Sequence, residues 1–247
     1  VAAVLCFIVM FKKHDILRTG REDYYWDNQG ILRMLSIGIP MALNYSITAI
    51  GTMILQSAIN VFGSSTVAAF TAASKVSNIA TQTFPTLGTA MATYCGQNLG
   101  AGKYKRITQG MRQSFYLCFV AAALAALICC CAGPFMVSWF ISNPSAETMN
   151  AAMQYLYTIS VFMIPLGWIF IYRNGLQGLD RGFLPMLSGV VELVSRYVVI
   201  LIAAKPYGYL GVCFADPAAW LVTGIMLLIA YLAWKHKMSE YIKACEE

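Results

Sequence analysis

Polar side chains inside long apolar runs are the residues of this sequence whose types and spacing could do chemistry. Asn44, Thr48, Thr52, Gln56 and Asn60 recur every four residues in an uncharged run from Met34 to Ser74. On a helix that spacing draws a slowly drifting stripe along one face. Thr71, Ser74, Lys75, Asn78, Gln82, Thr86, Thr89 and Thr93 follow at intervals of three or four. Two adjacent striped helices can line one wet cavity, with Asn44, Thr48, Gln56, Asn78 and Gln82 as its polar wall and Lys75 as its cation. The same residues can instead act as dry interhelical hydrogen-bonding groups. Lys75 lies about 13 Å of helix from the nearest expected turn, a long reach for a snorkelling lysine.

Glu192 and Arg196 stand four residues apart with the acid N-terminal, the favourable order for an ion pair on one helical face. Either they neutralise each other, or Glu192 is a protonatable relay in cation coupling. Asp216, just before Pro217, reads as an acid at a helix N-terminus. The only histidines, His14 and His236, fall outside the apolar runs, which removes histidine-based metal sites and catalytic triads from the spans. Gly96 to Lys103 superficially resembles a phosphate loop, but Gln97 stands where the first glycine belongs and Tyr104 where Ser or Thr belongs. No enzyme, metal or cofactor is expected. Eight cysteines, without a CxxC pair, read as small buried hydrophobes.

The elements that must carry these residues are membrane helices. Of 247 residues, 59% are hydrophobic and 11% charged, too little polar surface to solvate a globule of this size. Most uncharged runs exceed the roughly 20 residues that cross hydrocarbon, and none alternates as a strand would. The expected fold is an all-α membrane protein, a six-helix transmembrane bundle, with helices near 33–62, 66–97, 106–132, 144–175, 183–204 and 208–234. Joints are expected at Gly63-Ser64-Ser65, Gly96 to Gly102, Gly133-Pro134, Asn143-Pro144, Gly178 to Gly182 and Pro206 to Gly211. Pro40, Pro85 and Pro165 are expected to kink or open their spans. Residues 1–11 are too short to span and read as the end of a preceding helix, so the sequence is expected to be a fragment.

With alternating spans, Lys12, Lys13, Arg18, Arg21, Arg33, Lys103, Lys105, Arg106, Arg112, Arg173, Arg181, Lys235, Lys237 and Lys243 share one side, against Lys205 alone on the other. The positive-inside rule then makes loops 12–32, 98–112, 173–182 and the C-terminus cytoplasmic. Tyr24, Tyr25, Trp26 and Trp234 would belt that interface, and Trp139, Tyr207 and Tyr209 the opposite one. The net charge of +6 is thereby assigned to lipid headgroups and not to nucleic acid.

Three segments carry a family likeness: SIGIPMAL at 36–43, GQNLGAGKYKR at 96–106, and NGLQGLDRGFLPMLSGVVELVSR at 174–196 with GVCFADPAAW at 211–220. In these the chain resembles the C-terminal lobe of multidrug and toxic compound extrusion (MATE) transporters. The resemblance implies a twelve-helix antiporter of two six-helix lobes, with 1–11 ending a missing N-terminal lobe, 12–32 a cytoplasmic inter-lobe linker, 33–234 this lobe and 235–247 a cytoplasmic tail. It also implies export of drugs or organic cations driven by Na⁺ or H⁺, through a cavity between the lobes. Members of the NorM-like branch place cation-site acids on the first and fourth helices of this lobe. Here those spans hold none beyond Glu147, which leaves coupling to an acid in the missing lobe, as in the DinF-like branch, or to Glu192. Rival readings are a lipid-linked saccharide flippase of the same superfamily and a non-transporting membrane scaffold subunit.

Overall fold

The computed structural model describes residues 2–13 and 25–246, which fall into two compact units, 1–36 and 37–247. Arg18, Arg21 and Tyr24 of the expected linker lie outside the described residues. The first unit holds α1 (Ala2–Lys13) and the start of α2 (Asn28–Asn60). The sequence places the start of α2 near residue 33, whereas the helix begins at Asn28 because Asp27 caps it. The Asp27 carboxylate accepts the Gln29 backbone N–H at 3.0 Å, which satisfies one of the orphan donors of the first turn.

In the second unit the helices follow the order of the six expected crossings, and three of these are interrupted where a proline removes a backbone donor. The first is the remainder of α2, ended by Gly63 at φ 91°. The second, expected as one helix over 66–97, is broken into α3 (Ser64–Thr81) and α4 (Thr83–Gly100). Pro85 has no N–H for the Thr81 carbonyl, and the interruption falls between them at Gln82.

The third crossing corrects an expected end. The Gly133-Pro134 pair does not terminate it: α5 (Tyr104–Leu127) passes through a π turn (Ile128–Ala132) into α6 (Gly133–Ser138), one apolar span of 35 residues. Pro134 would leave the Cys130 carbonyl unbonded in a regular helix, and the wider π turn absorbs the mismatch.

The fourth crossing is α7 (Ala146–Ser160) followed by α8 (Met163–Gly178), bent by 55° one turn before Pro165. Ser145, not the expected Asn143-Pro144, caps α7, its hydroxyl accepting the Thr148 backbone N–H at 3.2 Å. The fifth crossing, α9 (Phe183–Cys213), remains regular to Gly208, whose φ of 57° and ψ of −136° break it. The sixth is α10 (Ala215–Glu246), which continues helically through the stretch expected as a tail.

Four of these helices are individually long and apolar enough to span a membrane, and the bent pair α7–α8 makes a fifth. The pair α3–α4, whose polar stripe lowers its hydropathy, is not among them and occupies the place of the second expected crossing. Inside, Phe84, Ile107, Leu156, Ile159, Ile169 and Leu227 are sealed from solvent, while Leu43, Met53, Leu117, Leu124, Leu201 and Ile229 face outward. Large apolar side chains both buried and outward-facing on α2, α5, α9 and α10 are what a bilayer requires and water forbids.

The α7 cap is open to test. Ser145→Ala should cost about 1 kcal/mol of stability and Ser145→Asp almost nothing. Thermal unfolding of the detergent-solubilised protein measures the difference.

Candidate functional site

The hydroxyls of the two stripes mostly bond within their own helix. Thr48 donates to the Asn44 carbonyl at 2.9 Å, Thr71 to Val67 at 2.7 Å, Thr86 to Gln82 at 3.0 Å, Thr89 to Pro85 at 3.0 Å and Thr93 to Thr89 at 3.2 Å. Back-bonding to the carbonyl one turn earlier quiets a hydroxyl without a neighbouring helix, an outcome that neither the wet-cavity nor the dry interhelical alternative anticipates. Asn44 is the stripe residue that does reach across. Its Nδ2 donates to the Pro185 carbonyl of α9 at 2.6 Å. Gly189 admits this contact, since a Cβ there would stand 2.6 Å from the same nitrogen.

Asn44 is also one end of a buried polar chain. Arg173 of α8 donates from Nη1 to Asn44 Oδ1 at 3.4 Å and from Nη2 to Glu192 Oε2 at 3.0 Å. Arg196, one turn after Glu192 on α9, donates from Nη2 to Glu192 Oε1 at 3.1 Å and from Nε to Asp216 Oδ1 at 2.8 Å. The Tyr155 hydroxyl of α7 then donates to Asp216 Oδ2 at 3.2 Å. The Arg196 and Glu192 side chains are only 3% and 7% exposed. Two cations and two anions alternate, so the chain is neutral as a whole while each charge in it has a partner.

The expected Glu192–Arg196 pair is thus present, but it is the middle of a longer object. Arg173, assigned from sequence to a cytoplasmic anchor, turns inward to Glu192. Asp216, read as a helix-end acid, joins α10 to α9 and α7. Tyr155 carries no sequence signal at all. The signal available for Arg173 and Asp216 was their charge at the ends of apolar runs, where an unpaired ion is costly.

Beside this chain lies a cavity of about 390 Å³. Its rim holds the exposed Thr52 and Asn78 and its floor the buried Arg196 and Asp216, with Gln56, Ser74 and Ser77 between them. Phe70, Tyr155, Phe170 and Trp220 form its apolar walls. Gln56 and Asn78 are therefore brought together as the stripes suggest. Asn44, Thr48 and Gln82 are not among the lining residues. Lys75 leaves the cavity altogether, its ammonium standing 5.2 Å from the centre of the Phe140 ring, a cation–π contact on another face of α3. A larger hollow of about 560 Å³ opens among Tyr104, Arg181, Trp234 and Lys237, away from the polar stripes and from Glu192 and Arg196.

Charge balance in the chain is testable. Glu192→Gln leaves two buried guanidiniums with one counter-charge fewer and should destabilise the fold by about 3–5 kcal/mol. Combining it with Arg173→Gln should recover part of that loss. A double-mutant cycle of melting temperatures reads the recovery, and strictly additive losses would refute the shared network.

A family model described as MatE matches residues 40–202. The chain is 28% identical over 174 residues to the probable multidrug resistance protein YpnP of Bacillus subtilis (strain 168), covering 70% of this chain and 38% of that protein. It is 24% identical over 255 residues to the FAD transporter of Shewanella oneidensis, covering 99% of this chain and 53% of that one. It thus spans about half or less of these curated relatives. The solved structure of the Vibrio cholerae MATE transporter VcmN in its bent form superposes with a TM-score of 0.84 at 16% identity, over 97% of this chain and 54% of that chain. At that identity the likeness is one of fold. A match over residues 40–202, with the same helical fold around it, shows that the chain belongs to the MatE family.

Proposed function

We propose that this chain is the C-terminal half of an antiporter that exports small amphipathic molecules, drugs or organic cations among them, in exchange for Na⁺ or H⁺. The observation that carries the reading is the cavity: polar at Thr52, Gln56 and Asn78, aromatic at Phe70, Phe170 and Trp220, and large enough for one ring system. Alternating access by rocking against a partner lobe would open its exposed rim to either side. The basic loops would then face the cytoplasm, as the charge asymmetry suggests.

The geometry favours a structural over a relay role for Glu192, because both of its oxygens already accept from arginines. Coupling is accordingly proposed to rest on an acid of the partner lobe. The flippase reading is less well supported, since it wants several cations in the cavity and Lys75 lies outside it. A scaffold would have no use for a polar hollow of this size. The name of the Shewanella relative favours a second cargo reading, in which a flavin nucleotide and not a drug is moved.

Single cysteines placed at Gln56 and Asn78 of the full-length protein, with native cysteines removed, should react with membrane-impermeant thiol reagents from one side in each conformational state. Protection in both states would defeat the cavity as a transport path. Lys75→Ala should leave efflux within about twofold of wild type, because surface substitutions away from a site rarely change it more. Efflux of a fluorescent dye from energised cells measures the latter.

A further inference from the structure

The hollow of about 560 Å³ at the basic end of the lobe is assembled from three stretches that the sequence keeps far apart. Tyr104 comes from the start of α5, Arg181 from the turn between α8 and α9, and Ala230, Ala233, Trp234 and Lys237 from α10. Positions 230, 233, 234 and 237 recur at helical spacing and share one face of α10. On that face two alanines leave the space and Trp234 walls it. The Trp234 ring is itself only 8% exposed and stacks on Tyr231 at 6.1 Å between ring centres, so the wall is fixed. Arg181 and Lys237 are exposed, and none of the ion pairs among the described residues involves either of them. No carboxylate is among the described residues that line the hollow. Its depth is legible too. The uncharged run of α10 stops at Trp234, and Lys235, His236 and Lys237 follow. From Ala230 to Lys237 is about 10 Å of helix, enough to run from the edge of the hydrocarbon through a headgroup layer roughly 5–8 Å thick on each side of a bilayer.

We propose that this hollow is a binding site for an anionic phospholipid, whose phosphate sits between Arg181 and Lys237 and whose first acyl carbons lie along Ala230, Ala233 and the Trp234 ring. A hollow of this volume, taken as a sphere, is about 10 Å across, a gap that the long stems of an arginine and a lysine close on one phosphate. Its chemistry is divided as a lipid is, with cations at one end and alanine and tryptophan at the other. A soluble anion has no use for the apolar part, and the ammonium of a zwitterionic lipid is repelled by the cations. The sequence assigns Arg181 and Lys237 to headgroups one at a time, as members of a diffuse basic surface, whereas the hollow gives them a single shared ligand. A phosphate held by both joins the α8–α9 turn to the end of α10 through charge-assisted hydrogen bonds. The site is separate from the cavity beside Arg196 and does not depend on what the protein moves.

The test titrates the full-length protein in detergent micelles with dioleoylphosphatidylglycerol and with dioleoylphosphatidylcholine, and native mass spectrometry counts the lipids retained. With each cation near a headgroup worth about fivefold, phosphatidylglycerol should bind at least about tenfold tighter. Arg181→Gln and Lys237→Gln should each weaken it by about fivefold, and together they should remove the preference. Lys105→Gln combined with Arg106→Gln takes the same two charges from exposed positions at the same end of the lobe but outside the hollow, and should leave the preference intact. Ala233→Trp fills the hollow and keeps both cations, and should weaken phosphatidylglycerol as much as the loss of one cation does. Glycerol 3-phosphate in large excess should not displace the lipid. Equal retention of the two lipids, an equal loss of preference in the Lys105 and Arg106 variant, or indifference to Ala233→Trp overturns the proposal. Displacement by glycerol 3-phosphate overturns it as well, by showing a site for a soluble phosphate.

Discussion

Four ionised side chains sealed inside a lipid-facing bundle can exist only if they cancel. Arg173, Glu192, Arg196 and Asp216 do so in alternation, each within 3.1 Å of an opposite charge, and this requirement orders much of the lobe. It fixes the register of α9 against α8 and α10, since a turn of slippage on any of them would strand a charge in a medium that cannot solvate it. It demands glycine at 51 and 189, where the guanidinium of Arg196 and the amide of Asn44 come down on bare backbone. At its two ends it passes into neutral groups, Asn44 on α2 and Tyr155 on α7, so that polarity fades gradually and not abruptly into the apolar core.

Around that fixed centre the helices are deliberately imperfect. Pro85, Pro134 and Pro165 each cost one backbone hydrogen bond, and the chain answers with an interruption, a π turn and a bend of 55°. The two arms of the bent crossing are held separately, α7 through Tyr155 to Asp216 and α8 through Arg173 to Glu192. The bend is therefore pinned from both sides by the same network, and the cavity beside it inherits a defined shape.

Much of this was legible in the residues. Apolar runs with few charges announced the crossings, and periodic Asn, Gln and Thr placed Gln56 and Asn78 on facing helices, because both signals are one-dimensional and survive reading in order. What escaped depends on rotation and on distant partners. Lys75 sits in the polar stripe by sequence, yet the flexible stem carries its ammonium to Phe140. The inward turn of Arg173 and the double duty of Asp216 follow from pairing between successive helices, 19 residues from Arg173 to Glu192 and 20 from Arg196 to Asp216, beyond the three- or four-residue spacing that marks one helical face. Likewise Gly133-Pro134 has the composition of a stop, but whether a proline ends a helix or merely widens a turn depends on whether the carbonyl it frees can be relaxed in place.

The second crossing has one more consequence, and it concerns how the lobe is made. The pair α3–α4 is not apolar enough to partition into lipid unaided, since hydroxyls and amides line it and Lys75 interrupts it. The helices it packs on, α5, α7 and α8, all follow it in the chain. The crossing with the weakest affinity of its own for lipid is therefore the one whose place in the membrane leans most on its neighbours, which ties its burial to the completion of the helices that follow it.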